Sequence, residues 1–125
     1  MLTDRFCIDS YKSIDVVLSP EDMVACDWYN LGCSGGNLYT AMAYLEHTGV
    51  VSDRCFPYTS GEAGEVPQCV KTCKEGTYKK YHCVIDSTVE AVNADEIKAE
   101  IYAHGPMETG FMVYDDFMNY KEGIY

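Results

Sequence analysis

The sequence predicts an α+β protein in two lobes. A helical segment spans residues 1–54, and a disulfide-rich crossing with part of a β lobe spans 55–125. Three observations carry this reading. Helix signals fill the first third and strand signals gather in the last, so the elements are segregated, which argues against a doubly wound sheet. The chain changes character near residue 55, where Cys, Pro and Gly cluster. Seven cysteines in 125 residues point to a disulfide-permitting compartment.

The elements follow in order. Leu18-Ser19-Pro20-Glu21-Asp22 is a helix start: Ser19 is the N-cap, Pro20 takes the first helical position, and Asp22 completes a capping-box pattern. This helix is expected to run to about Cys26. A second runs from its cap Asn37 to about His47, with Leu38, Ala41, Met42 and Leu45 on one face and Gly49 closing it. Residues 53–77 read as irregular chain, with Pro57, Gly61, Gly64 and Pro67 breaking any period. Lys80 to Ile85 reads as a strand. A third helix starts at Asn93, with Glu96 three residues on, and is stopped by Gly105-Pro106. Phe111 to Tyr114 reads as a buried strand, Asp115-Asp116 as the cap of a short helical turn, and Gly123-Ile124-Tyr125 as the start of another strand.

Composition excludes several classes of function. The length fits one ordinary domain, and 47% apolar residues argue against disorder. A formal charge of −11 excludes nucleic acid as the expected partner, because phosphates demand a basic face. The apolar runs are too short to span a membrane. Met1-Leu2-Thr3-Asp4-Arg5 is not a secretory signal, since it meets an acid at once. That conflicts with the cysteine count unless the true N-terminus lies upstream. The odd number of cysteines leaves at least one thiol without a partner in this chain.

The segment Leu31-Gly32-Cys33-Ser34-Gly35-Gly36-Asn37 is the most informative. Gly35-Gly36 beside a cysteine is backbone free of side chains, which an extended peptide can approach and bind through main-chain hydrogen bonds. It is equally a tight turn that holds Cys33.

With this loop stand Thr3-Asp4-Arg5-Phe6-Cys7-Ile8, Leu18-Ser19-Pro20-Glu21-Asp22 ending in Cys26, and Cys55-Phe56-Pro57-Tyr58. Gly105-Pro106-Met107-Glu108-Thr109-Gly110-Phe111 and Val113-Tyr114-Asp115-Asp116-Phe117 follow, with Tyr120-Lys121 and Gly123-Ile124-Tyr125. Together these blocks resemble the papain-like cysteine peptidases, and more narrowly the cathepsin B branch, over essentially the whole chain. The resemblance implies a partial papain-like two-lobed fold, with Met1 to about Tyr11 as the far end of its central helix. It implies bonds between Cys26 and Cys69 and between Cys55 and Cys73, each contributing about 3–4 kcal/mol in the chain-entropy model. Cys7 and Cys33 match cysteines whose usual partners lie upstream of Met1, so both are expected unpaired. Cys83 matches no family position and reads as a small buried hydrophobe.

The resemblance also implies where the chemistry lies. The family's nucleophile sits in a Gln-Gly-x-Cys-Gly-Ser-Cys-Trp block at the start of the central helix, and its histidine and asparagine follow the position of Tyr125. None is in this chain, which reads as an internal segment with no catalytic residue of its own. His82 and Cys83 are adjacent on the expected strand, so they face opposite ways and form no dyad. His47 and His104 sit at helix C-termini, where the dipole favours imidazole. A zinc site from Cys69, Cys73, His82 and Cys83 is disfavoured because the first spacing suits disulfides equally; no metal and no cofactor is expected.

What remains is part of a substrate cleft. By resemblance, Gly35 and Gly36 pair with the backbone of a peptide or protein substrate, flanked by Ser34. Asn37 and Leu38 flank the main specificity pocket, although Leu38 also suits helix packing, and Gly110 lies on that pocket's opposite wall. Asn37 stands where tyrosine is common. Thr59 to Gln68 is short and holds no histidine, so the occluding loop of cathepsin B is absent and an open-cleft endopeptidase is implied. A lysosomal, vacuolar or secreted parent is expected, with another chain covering the apolar face that the central helix would occupy. The rival reading is a non-catalytic relative that binds peptides or serves as a structural module.

Overall fold

A computed structural model describes residues 1–125. It contains five α-helices: α1 Leu2–Asp9, α2 Pro20–Cys26, α3 Leu38–His47, α4 Ser60–Ala63 and α5 Ala94–His104. Single 3-10 turns occupy Gly32–Ser34 and Asp115–Asn119. The three helix-start signals in the sequence act as read. The Ser19 hydroxyl accepts from the amide of Asp22 at 3.0 Å, with Pro20 in the first turn. Asn37 accepts from the amide of Tyr39 at 2.9 Å. Asn93 accepts from the amides of Asp95 and Glu96, and Glu96 reaches back to the amide of Val92. Gly49 and Gly105, at φ +71° and +97°, take the left-handed backbone that ends α3 and α5.

The capping box at α2 is only half made. The Asp22 carboxylate does not return to Ser19 but turns inward. Its Oδ1 accepts from the Tyr44 hydroxyl at 2.9 Å, its Oδ2 from the Val51 amide at 2.7 Å, and both oxygens lie 2.7 Å from Lys80 Nζ. Lys80 also donates to the carbonyl of Gly49 at 3.1 Å. Next to it, Glu21 is fully buried and accepts from the backbone amides and hydroxyls of Thr59 and Ser60, fixing the start of α4. Burial pushes the Glu21 carboxyl up, but these four hydrogen bonds together outweigh it and hold the group below the ordinary carboxylate range.

Leu18, Tyr44, Leu45 and Val50 form the core, with Leu2, Phe6, Val16, Met23, Met42, Tyr81 and Cys83 packed around them. Every buried residue lies between Leu18 and Ser60, so the first half of the chain supplies the core and the second half is tied onto it. The ties are polar. Glu46 of α3 accepts from the amides of Asp86 and Thr88 and from the Thr88 hydroxyl. Arg5 of α1 donates to Glu100 of α5 and to the carbonyl of Pro106, each at 2.9 Å. Glu100 in turn lies 3.0 Å from His104 Nδ1.

The expected strands do not build a sheet. Only two isolated antiparallel bridges form, Leu18 with Ser52 and Val50 with Tyr81. A strand is made by its ladder partner, and residues 80–85 find one only at Tyr81, which exchanges both backbone hydrogen bonds with Val50. Phe111 to Tyr114, expected as a buried strand, is exposed and has no strand partner. Rings hold this end together instead: Phe117 meets Phe111, Tyr120 and Tyr125 with centroids 4.8–5.9 Å apart. Asp115 and Asp116 lie inside the short turn rather than capping it, and Asp116 accepts from the Tyr125 hydroxyl.

Candidate functional site

The glycine loop is built from the end of α2. Asp27, buried, closes that helix and accepts from the amide of Tyr29 through Oδ1 and from Asn30 Nδ2 through Oδ2, at 3.1 and 2.6 Å. The Asn30 carbonyl oxygen faces the loop and accepts from the amide of Asn37 at 2.7 Å and the hydroxyl of Thr40 at 2.9 Å. On the other side, the carbonyl of Gly35 accepts from the amide of Leu31 at 2.9 Å. Gly35 sits at φ +104°, ψ −172°, a region that only glycine enters freely. Gly36 needs glycine for a different reason. A Cβ there would lie 2.5 Å from Asn30 Oδ1.

Between these two tethers, Gly36 is exposed, and neither its N–H nor its C=O is paired within the protein. A main-chain donor and acceptor are thus left unpaired on one residue, groups that an extended peptide can meet. Ser34 ends the 3-10 turn with its amide on the Leu31 carbonyl, and Asn37 is both the tethered residue and the cap of α3.

Leu38, the first residue of α3, faces a cleft of about 730 Å³. Leu38, Tyr39 and Met42 line it together with α1, α5 and residues 82–91, and Gly110 lies on the same cleft beside Met107 and Glu108. An added Cβ at Gly110 meets nothing within 4 Å, and its φ is not positive, so glycine there leaves space rather than relieving strain. Leu38 is half-exposed; the buried residues of its helix are Tyr44, Leu45 and Glu46.

The cysteines divide cleanly. Cys26 is bonded to Cys69 and Cys55 to Cys73, while Cys7, Cys33 and Cys83 are free. Two of the four groups in the rival zinc reading are therefore in different disulfides. Cys83 is half-buried at the edge of the core, and burial together with the nearby Glu46 carboxylate pushes its thiol up, the reverse of what a nucleophilic thiolate requires. Asp27 and Asn30 escaped the sequence reading. Their signal was an Asp-x-x-Asn turn straight after a helix, which is short and common.

The chain is similar to known proteins. The gut-specific cysteine proteinase of Caenorhabditis elegans is 35% identical, covering all of this chain and 44% of its own length. Cathepsin B of Dictyostelium discoideum is 34% identical over 98% of this chain and 43% of its own. The chain thus spans less than half the length of these relatives. Among solved structures, procathepsin B S9 from Trypanosoma congolense matches 82% of the chain with a TM-score of 0.64 at 22% identity, a likeness of fold. The model of the papain family cysteine protease matches residues 1–125, and the chain belongs to that family.

Proposed function

We propose that this chain is the middle portion of a cathepsin B-like cysteine endopeptidase, holding part of the substrate cleft but neither nucleophile nor proton acceptor. The carrying observation is the family match over residues 1–125 in a chain that spans 44% of its nematode relative. In this reading Gly36, with Ser34 and Gly35, pairs with the backbone of a peptide or protein substrate. Asn37 and Leu38 flank the specificity pocket, and Gly110 forms its other wall. The unpaired N–H and C=O of Gly36 support the first assignment; the shared cleft supports the second.

The open-cleft, endopeptidase reading draws on the compact Thr59–Gln68 segment, which Glu21 gathers into the short helix α4. The alignment to the nematode proteinase runs over 144 positions, so that relative carries residues without counterpart here. Cys7 and Cys33 are the thiols that upstream cysteines would bond. The two bridges suit a lysosomal, vacuolar or secreted setting, and no helix is long and apolar enough to cross a membrane.

Surface area supports a larger parent. A folded monomer of 14.0 kDa presents about 6,700 Å² by the usual scaling, whereas this chain presents 9339 Å². The excess is rich in apolar groups, including Ile8, Ile101, Tyr102 and Val113, as expected where further chain of the same protein packs. Sequencing the coding region on both sides tests the reading. A Cys-Gly-Ser-Cys-Trp block upstream and a histidine block downstream are expected; serine or glycine in place of the nucleophile overturns the peptidase and favours the non-catalytic relative.

A further inference from the structure

We propose that Asn30, oriented by Asp27, is a positioning residue for substrate: its side-chain amide holds the Gly35–Gly36 backbone at the setting in which Gly36 can pair with a peptide. The proposal rests on the peptidase reading for the identity of the ligand. It rests on geometry alone for the role of Asn30.

The argument begins with the chemistry of a carboxamide, which has a donor end and an acceptor end that cannot be exchanged without loss. Asn30 Nδ2 donates to Asp27 Oδ2 at 2.6 Å, and Oδ1 accepts from Asn37 N at 2.7 Å and Thr40 Oγ1 at 2.9 Å. Turning the amide over would set an oxygen against the Asp27 carboxylate and an NH2 against the Asn37 N–H. One orientation is therefore fixed, and Asp27 fixes it from a buried position, 5% exposed, with Oδ1 held by the Tyr29 amide. That rigidity passes to the loop in two ways. The Asn37 amide, one residue beyond Gly36, is drawn inward and cannot compete for substrate. The carboxamide itself fills the space where a Cβ at Gly36 would stand, so the glycine backbone rests directly on it.

With Gly35 tied by its carbonyl to Leu31, Gly36 is the residue left between two inward anchors, exposed and with its own N–H and C=O unpaired. Removing the Asn37 anchor frees the chain on one side of Gly36. The donor and acceptor then sample many orientations, and a peptide must bear the entropy of fixing them. The loss falls on binding and leaves the chemistry unaltered.

The test uses the full-length protein and a fluorogenic peptide substrate, with Asn30→Ala, Asn30→Asp, Asp27→Asn and the exchange Asp27→Asn with Asn30→Asp. The exchange is informative because it restores one donor and one acceptor between the two side chains while keeping the acceptor that faces Asn37. Asn30→Ala is expected to raise KM about tenfold, the equivalent of one hydrogen bond, with kcat changed less than about twofold. Each single exchange variant raises KM, and the double exchange returns it to within about threefold of the parent. An unaltered KM in Asn30→Ala, or a double exchange no better than its singles, overturns the proposal.

A second readout does not depend on catalysis. The Gly36 amide resonance in isotope-labelled protein is expected to broaden or split in Asn30→Ala and to sharpen again in the double exchange. A Gly36 amide that is unchanged in Asn30→Ala overturns the positioning role even if KM moves. Absence of hydrolysis by the parent protein instead overturns the peptidase reading, and the resonance still decides the role of Asn30.

Discussion

The Asp22–Lys80–Tyr44 cluster should behave as a buried charge network whose members are strongly coupled. Asp22 is 1% exposed, and the Lys80 side chain is 17% exposed, so little water reaches either. Asp22→Ala removes the acceptor for the Val51 amide, the Tyr44 hydroxyl and the Lys80 ammonium at once. Breaking a buried pair in this way costs about 3–5 kcal/mol, chiefly because the surviving charge is left without compensation. Lys80→Met should cost less, about 1.5–3 kcal/mol, because the Asp22 carboxylate keeps the Val51 and Tyr44 donors. Tyr44→Phe removes one hydroxyl and should cost about 1.5–3 kcal/mol, a hydrogen bond to a charged group. The double variant Asp22→Ala with Lys80→Met leaves no charge in this cluster, so it should be more stable than Asp22→Ala alone, with a coupling of about 2 kcal/mol. Urea unfolding followed by far-ultraviolet circular dichroism measures all four. A loss under about 1 kcal/mol in Asp22→Ala, or additive single effects, would refute the claim that this network holds α2, α3 and residue 80 together.

Further outcomes follow from the same reasoning. The carboxyls of Glu21, Glu46 and Glu100 are all held below their ordinary value of 4.5; for Glu46 the Thr88 hydroxyl is the main cause, and for Glu100 the Arg5 guanidinium, then His104. Their contribution is present above pH 4.5 and fades as pH falls through the lower folded values. Urea midpoints should thus drop with acid below pH 4.5, with a shallower drop in Glu21→Gln. Gly35→Ala should lower stability by about 1–3 kcal/mol from backbone strain, whereas Gly110→Ala should change it by less than about 0.5 kcal/mol, as thermal unfolding would show. Removing Cys26–Cys69, which joins residues 43 apart, should cost about 0.7 kcal/mol more than removing Cys55–Cys73, 18 apart. Paired Cys→Ala variants in urea measure the difference.

What the sequence disclosed followed local rules, and what it hid was decided by tertiary partners. Ser19, Asn37 and Asn93 cap helices through residues two or three positions away, so a short window contains the whole interaction. Gly49 and Gly105 are legible for the same reason. The inward turn of Asp22 depended on Lys80, 58 residues on, and a capping-box pattern contains no hint of that. Tyr44 is buried although the apolar stripe of α3 suggested Leu38, because its hydroxyl has Asp22 to meet. The segments 111–114 and 123–125 carry strand-like residues, but composition cannot supply the ladder. In the candidate site, Gly35-Gly36 stood out as a motif, while Asn30 acts through a fold-back of seven residues onto Asn37.

The division between an apolar core before Ser60 and polar ties after it bears on how the cleft is kept. Its walls come from both halves: Leu38 and Met42 from the cored part, Ile97, Ile101 and Gly110 from the tied part. The ties across it include Arg5 to Glu100 and to Pro106, and buried Glu46 to Thr88; the Arg5 and Glu100 side chains are only partly shielded. Charge-assisted bonds of this kind contribute modestly where water reaches them, so the Arg5–Glu100 link holds the cleft's width only weakly. Apolar surface on both walls remains open to cover, and further chain packing there would add buried area to that link at about 25 cal/mol per Å². A few hundred square ångströms would then contribute more than that link. The cleft geometry of this segment is thus set locally at the Gly35–Gly36 loop, where Asp27 and Asn30 hold it, and set only loosely across to Gly110 until something else packs on the far wall.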